Sequence, residues 1–167
     1  ANNYLAAVNL ETTPINHFDE VPLKCYLEPA VTCFGNFPLF GRQYSEDVPD
    51  LALNLFLYKP AFIIEHHDFF KKRSADAIRS IRHVNRLDPT LRWWGLENVL
   101  TRSYVQKQES KGVFAVRAFT RKTRISNESD TRKEYIFSKE EKDSASIEKV
   151  TIDGKEWFYD QAAPVLS

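Results

Sequence analysis

The sequence predicts an α/β region followed by an all-β region, with the change near residue 110. Before this point, apolar residues recur at helical spacing and alternate with short, wholly apolar runs. After it, the apolar period approaches two, as in strands that expose one face. With 43% apolar and 13% aromatic residues among 167, the chain is able to build a core, which excludes wholesale disorder. We divide it into 1–110 and 111–167.

The first half of the α/β region is predicted to begin with extended segments at 4–10, 21–27 and 30–34, followed by an aromatic, Gly- and Pro-containing loop over 34–44. A helix over about 46–58 follows, because Ser45 offers a cap, acidic residues fill the first turn and Lys59-Pro60 ends the pattern. Residues 61–64 are all apolar, which is typical of a strand buried on both faces.

The second half of this region is predicted to be mainly helical. Ser74 caps a helix with an apolar stripe of Ala75, Ile78 and Ile81, and Asp88-Pro89 stops it. Residues 91–94 form a short strand or turn. The spacing of Leu96, Val99, Leu100 and Tyr104 then predicts an amphipathic helix from 96 to about 108.

The all-β region is predicted to hold strands at 113–120, 123–125, 133–137, 147–152 and 155–159. Asp153-Gly154 lies between the last two strands. This pair is a strong signal for a two-residue hairpin turn, because both positions tolerate a positive φ.

The zero net charge conceals an uneven distribution. Residues 1–70 carry 3 basic and 9 acidic side chains (net −6), residues 71–108 carry 9 and 3 (net +6), and residues 109–167 carry 11 of each. The basic block fits either a polyanion-binding surface, with Arg79, Arg82 and Arg86 on one helix face, or a solvated helix that complements the acidic block. A pI of about 7.1 favours the solvated helix, so nucleic-acid binding is not expected.

Targeting signals and cysteines give little information on the compartment. The longest apolar stretches are interrupted by Lys59-Pro60 and are shorter than the ~20 residues of a membrane span. The chain contains no Met and opens with Ala1, so we expect a piece of a longer protein. Cys25 and Cys33 either pair or stay free, and both alternatives remain open.

The densest polar cluster is Glu65-His66-His67-Asp68, directly after the apolar run 61–64. Loops at the carboxyl ends of parallel strands gather catalytic groups, so this cluster is a candidate general acid or base oriented by a carboxylate. Strand alternation sends Glu65 and His67 to one side and His66 and Asp68 to the other, which argues against one metal ion held by all four. A purely structural role is equally open.

Aromatic residues supply the second candidate site. We predict that a sugar ring packs on some of these side chains: Tyr26, Phe37, Phe40, Tyr44, Trp93 and Trp94. Packing in a core or lid is the alternative.

A further cluster, His17-Phe18-Asp19-Glu20, fits an exposed capping segment better than a site. The chain lacks the glycine-rich nucleotide motifs, the serine-hydrolase elbow and paired Cys-x-x-Cys, which argues against those functions.

The order of signals over residues 60–100 resembles the last part of the polysaccharide deacetylase family. The matching pieces are the strand ending in His67-Asp68, the helix after it, and Leu91-Arg92-Trp93-Trp94-Gly95-Leu96-Glu97. The resemblance implies the C-terminal part of a (β/α) barrel over 1–110, with an antiparallel, β-sandwich-like module appended over 111–167. It implies His67 as general acid toward a leaving amine, His66 as the second choice, and Asp68 or Glu65 as the orienting carboxylate.

The family's early motifs, an Asp-Asp pair and a His-x-x-x-His pair, are absent from this sequence. A divalent metal is implied by the family, but its usual ligands are therefore missing.

The chain is thus expected to be a C-terminal fragment of a carbohydrate-active hydrolase, inactive alone, whose partners are a glycan or polysaccharide and the missing N-terminal part. Its expected location is extracellular or the cell envelope, with a cytoplasmic one left open. The alternatives are a non-catalytic carbohydrate-binding or cell-surface interaction module and, third, a polyanion binder.

Overall fold

The computed structural model describes residues 4–9, 27–34, 37–67, 71, 74–140 and 147–157. Over these residues the chain is a mixed α/β structure with three helices and four small, separate sheets of two or three strands each. In chain order the elements are β1 (Ala7–Asn9), β2 (Val31–Phe34), β3 (Phe37–Gly41), β4 (Gln43–Tyr44), α1 (Val48–Phe56), β5 (Ile63–Ile64), α2 (Ser74–Leu87), α3 (Leu96–Arg102), β6 (Tyr104–Ser110), β7 (Val113–Ala118), β8 (Glu134–Lys139), β9 (Val150–Ile152) and β10 (Lys155–Trp157).

The first sheet has the order β1-β3-β2 and supplies part of the core. Its central strand β3 runs parallel to β1 and antiparallel to β2. Leu39 and Phe40 of β3 are buried, as expected for a strand with a neighbour on each side. The aromatic segment predicted as a loop therefore contains a sheet strand, because its side chains fill the interior.

A β-α-β unit formed by β4, α1 and β5 positions the candidate site. The two strands are parallel, with Gln43 opposite Ile63 and Tyr44 opposite Ile64. Helix α1 has a proline in its first turn, where no helical N–H is lost, and a favourable acidic residue, Asp50. The predicted helix over 46–58 is confirmed, with slightly narrower bounds.

Helix α2 confirms the predicted start at Ser74 and stop before Asp88. Val84 of this helix is buried and α2 contacts α1, but Ile78 of the predicted apolar stripe is 52% exposed. None of the described helices has the length and apolar composition that a bilayer crossing requires.

The helix predicted over 96–108 is wrong in its second half. Helix α3 ends at Arg102, and after Ser103 the chain enters strand β6. The register pairs Tyr104 with Ala118 and continues along β7, so backbone pairing with a distant strand overrides the local helical spacing. Residues 123–125, which were predicted as a strand, lie in irregular structure.

The third sheet, β6-β7-β8, mixes both pairing directions. Strand β7 is antiparallel to β6 and parallel to β8. Strands β9 and β10 form a separate hairpin, in which Asp153 has φ 51° and Gly154 has φ 78°. Positive φ at both central positions is the requirement of a type I′ turn, so the predicted Asp153-Gly154 hairpin is confirmed.

The predicted fold class is wrong, since the described residues form neither part of a barrel nor a sandwich. The parallel pair β4–β5 is two residues long and two strands wide, and Ile63 and Ile64 are only half-buried, whereas a barrel strand is covered on both sides. A sandwich needs two sheets packed face to face. Most residues of β6 and all residues of β10 are exposed instead.

The core joins residues from both sides of the predicted boundary at 110. Phe40, Phe62, Leu100 and Phe119 form one buried cluster with Ala30. The rings of Phe40 and Phe62 meet edge to face, with centroids 5.4 Å apart and an interplanar angle of 69°. The boundary itself falls within the β6–β7 hairpin, and the division into 1–110 and 111–167 stays a prediction.

Candidate functional site

The candidate site lies where strands β4 and β5 end side by side. Tyr44 and Ile64 are register partners, so the residues that follow them, Ser45 and Glu65, leave the same edge of the pair. Carboxyl ends of parallel strands are the usual place for functional groups in α/β structures. The predicted cluster 65–68 therefore begins at a strand end, as expected.

Ser45 holds the carboxylate of Glu65 with two hydrogen bonds. The backbone N–H of Ser45 donates to Glu65 Oε1 at 2.9 Å, and the Ser45 hydroxyl donates to the same oxygen. Ser45 is only 7% exposed, which protects both bonds from water. In the described structure, the Glu65 carboxylate thus ties the end of β5 to the end of β4.

His66 contacts Tyr44 across the same strand pair. The Tyr44 hydroxyl lies 3.5 Å from His66 Nε2, and the two ring centroids are 6.1 Å apart. His66 and His67 are both exposed, so a ligand in solvent is able to reach either imidazole. Asp68, the fourth predicted residue, lies outside the described residues.

The chemistry of His66 depends on which ring nitrogen carries its proton. When the Tyr44 hydroxyl donates to Nε2, the neutral ring carries its proton on Nδ1. Nδ1 is then the atom that can donate a proton to another group. In the other tautomer Nε2–H donates to the hydroxyl and Nδ1 accepts. Tyr44 is thus able to stabilise either form of an acid–base residue.

A second concave feature contains Trp94 and lies at the opposite end of β5. This groove encloses about 380 Å³, and its lining includes Tyr58, Lys59, Pro60, Asp88, Arg92, Trp94 and Arg102. Lys59 and Pro60 precede β5, whereas Glu65 and His66 follow it. Trp94 and the predicted acid–base cluster therefore lie in two separate places.

Polar neighbours fix both Trp94, which lines this groove, and Trp93, which is not part of the lining. Trp93 Nε1 donates to Asn85 Oδ1 at 2.7 Å, so Trp93 is tied to helix α2. The guanidinium of Arg102 lies over the ring of Trp94, 4.6 Å from its centroid, in cation–π geometry. Both tryptophans nevertheless remain about half exposed.

Three titratable groups of the groove have shifted pKa values, and burial raises the pKa of one of them, the Tyr104 hydroxyl. Burial lowers the pKa of Lys59, because the charged ammonium loses hydration. Hydrogen bonds from the side chain and backbone of Thr90, at 2.7 and 2.8 Å, lower the pKa of Asp88. The lowered pKa of Asp88 keeps its carboxylate ionised at neutral pH.

The remaining predicted glycan contacts do not join these tryptophans. Phe40 is 0% exposed and belongs to the core, and Phe37 is half-buried in β3. Tyr44 lies at the His66 site. Tyr26 lies outside the described residues, as do Cys25 and the cluster His17-Phe18-Asp19-Glu20.

Sequence reasoning missed Ser45 as a partner of Glu65 and Arg102 as a partner of Trp94. Ser45 was interpreted only as a helix cap, although no side-chain cap bond is present at α1, and its position just after a strand was the available signal. Arg102 was placed inside a longer helix, so its position beside an aromatic groove could not be inferred.

The described part of the chain does not fit the divalent metal that the family resemblance implies. Among these residues, no group of three or more His, Cys, Asp or Glu side chains is arranged to hold a metal ion. One oxygen of Glu65, Oε1, accepts both hydrogen bonds from Ser45. Comparison with models of known families, with curated proteins and with solved structures gives no match to this chain.

Proposed function

We propose that this chain contributes an acid–base site and glycan contacts to a carbohydrate-active hydrolase that resembles polysaccharide deacetylases in its chemistry. The observation that carries the proposal is the contact between His66 Nε2 and the Tyr44 hydroxyl, beside the Glu65 carboxylate, at the end of two parallel strands. The proposal depends on these side chains and not on a barrel, which the described residues do not form.

His66 is the general acid in this proposal. Its Nε2 is engaged by Tyr44, which leaves Nδ1 to deliver a proton to a leaving amine. Histidine is the side chain that most often serves in general acid–base catalysis. His67, the residue favoured by the family resemblance, is the alternative acid on the same exposed edge.

Glu65 acts as a positioning residue. Two Ser45 donors fix one of its oxygens, which holds the end of β5 against the end of β4. The same strand ends carry Tyr44 and His66, so Glu65 helps to hold the contact between these two rings in place.

The test uses acetate release by the native-length protein from an N-acetylated chito-oligosaccharide, with added divalent cations. We expect His66→Gln to lower the rate by about 10²–10⁴-fold, the usual contribution of a general acid. His83→Gln is the matched control, because His83 is an exposed histidine on helix α2 and should leave the rate unchanged. An unchanged rate in His66→Gln, with a loss in His67→Gln, would reassign the acid to His67.

A non-catalytic carbohydrate-binding module is the second candidate, and the groove at Trp94 favours it. A glycan seated there would quench tryptophan fluorescence without turnover. If the native-length protein released no acetate with any divalent cation, yet the same oligosaccharide quenched its fluorescence, the hydrolase proposal would be wrong and the binding module would stand.

A further inference from the structure

We propose that the groove at Trp94 binds an acidic saccharide, in which a pyranose ring packs on the aromatic surface and a ring carboxylate pairs with arginine. This inference rests on the glycan contacts of the proposed function and is independent of His66. The groove lies apart from the His66 site, and an acidic saccharide is the class of ligand that we expect it to bind. Three features of the groove support this proposal: its shape, its net charge and its two arginines, which form no ion pair among the described residues.

The shape suits one or two sugar rings. A volume of about 380 Å³ lies in the range of ordinary ligand sites, about 300–1,000 Å³. Trp94 is 46% exposed and Tyr58 is 97% exposed, so both present aromatic surface to solvent. Apolar faces of pyranose rings pack on such surfaces, while the ring hydroxyls remain free to bond polar groups around them.

The net charge of the groove is positive. Its lining holds three basic side chains, Lys59, Arg92 and Arg102, and one acidic side chain, Asp88, which gives 3 − 1 = +2. The Asp88 carboxylate accepts hydrogen bonds from Thr90 of its own turn, so that turn occupies one of its oxygens. An anionic ligand is attracted to this positive lining, whereas a neutral ligand gains nothing from it.

The two arginines are available for a ligand. In the part of the chain that the structure describes, ion pairs use Arg79, Lys107, Arg117 and Lys122, and neither groove arginine takes part in one. Arg102 is held in place by Asn98 through Nη1 and by the Trp94 ring. Its other N–H groups retain the planar fork that matches a carboxylate.

A nucleic acid is a less suitable occupant than a saccharide. Phosphate backbones select long basic stripes, but the groove combines a modest charge of +2 with an acidic side chain. On the helix face first considered for polyanions, Arg79 is paired with Asp76 at 3.1 Å. A small number of positive charges next to the Trp94 ring instead suits a sugar that carries a carboxylate.

The experiment titrates the chain with three probes and follows tryptophan fluorescence and the indole N–H signals by NMR. The probes are an oligogalacturonate, a neutral chito-oligosaccharide of equal length and a single-stranded oligonucleotide. We expect the oligogalacturonate to bind at least about tenfold more tightly than the neutral sugar, because two guanidinium groups pair with its carboxylates. The Trp94 indole signal should shift, and the Trp157 signal in the β9–β10 hairpin should not.

Variants locate the site and separate charge from stacking. Arg102→Gln and Arg92→Gln should each weaken oligogalacturonate binding about tenfold and leave neutral-sugar binding nearly unchanged, whereas Trp94→Ala should weaken both. Trp157→Ala and Arg132→Gln are matched controls, since both residues are exposed and lie outside the groove lining. Circular dichroism of each variant checks folding.

Each outcome decides between the two proposals. Equal binding of acidic and neutral sugars at Trp94 would overturn the acidic ligand and keep the glycan contacts. Binding of the oligonucleotide as tightly as the oligogalacturonate, with the same loss in Arg102→Gln, would overturn the saccharide. Failure of every probe to shift Trp94 would overturn the groove as a site, while the acetate assay of His66→Gln would stand unaffected.

Discussion

The backbone amide and the hydroxyl of Ser45 donate to one and the same carboxylate oxygen of Glu65. This pairing joins two residues twenty positions apart across the ends of parallel strands β4 and β5. The strands themselves are only two residues long, so their pairing supplies few backbone hydrogen bonds. The two hydrogen bonds from Ser45 to the Glu65 side chain therefore help to hold the strand ends in the arrangement that brings Tyr44 and His66 together.

Replacing Glu65 with alanine should destabilise the fold. Glu65→Ala leaves two donors of the buried Ser45 without their acceptor, which costs about 1–3 kcal/mol of unfolding free energy. Glu65→Gln keeps a carbonyl oxygen for the same donors and should cost less. Urea denaturation followed by circular dichroism measures both. If both variants lost the same unfolding free energy, the negative charge of Glu65, and not the lost acceptor, would be the source of the stabilisation.

Truncating Phe62 should remove a central contact of the core. Phe62 packs edge to face on the fully buried Phe40, so Phe62→Ala is expected to cost about 3–5 kcal/mol of unfolding free energy. Phe56→Ala is the matched control, because Phe56 is 79% exposed and its removal should cost no more than about 0.5 kcal/mol. Similar losses at both positions would contradict the position of the core.

Glu28 and Arg117 should be energetically coupled. Their ion pair links the segment before β2 to strand β7, and both side chains are largely shielded from water, which limits screening. A double-mutant cycle with Glu28→Gln and Arg117→Gln is expected to give a coupling of about 0.5–3 kcal/mol. The exposed pair of Lys107 and Glu109 serves as a comparison and should couple by less than about 1 kcal/mol. A Glu28–Arg117 coupling near zero would contradict the link.

The pKa of Asp88 should rise when Thr90 is replaced. Bonds from Thr90 stabilise the carboxylate, so its folded-state pKa lies below the ordinary value. The associated stability is present above the unfolded pKa and is lost as the pH falls through the folded pKa. In Thr90→Val, NMR titration of Asp88 should show a value closer to that of a free aspartate.

Glu97 is an internal control for that titration. Lys122 lowers its pKa through a 2.7 Å bond that does not involve Thr90. The Glu97 titration should therefore be the same in Thr90→Val and in the unmodified chain. If Asp88 also titrated unchanged in the variant, the Thr90 hydroxyl would not be the cause of its shift.

Local signals in the sequence predicted local structure well. Pro60 and Pro89 follow the ends of helices α1 and α2, as predicted, and Asp153-Gly154 forms its hairpin turn. Each of these features depends on neighbours within a few positions, so composition and spacing were sufficient. The same reasoning correctly located the polar residues 65 and 66 at a strand end.

Features that depend on distant pairing were not predictable from spacing. Residues 104–108 have a helical pattern, yet their backbone pairs with β7. The meeting of Tyr44 with His66 requires β4 and β5 to lie in parallel register, and the position of Arg102 over Trp94 requires α3 to end early. The barrel prediction came from a resemblance over residues 60–100, and the order of local signals there does not specify how many strands join one sheet.

The parallel pairing of β7 with β8 bears on the order in which the chain folds. The β6–β7 hairpin turns at Gly112, so its two strands meet after closing a very short loop. Strand β8 has to return across residues 119–133 before it aligns with β7, and this connection contains no helix to guide it. We therefore expect the backbone amides that hydrogen-bond β6 to β7 to be protected from hydrogen exchange early during refolding. In native-state hydrogen exchange, β8 should be the first strand of this sheet to separate from its neighbour.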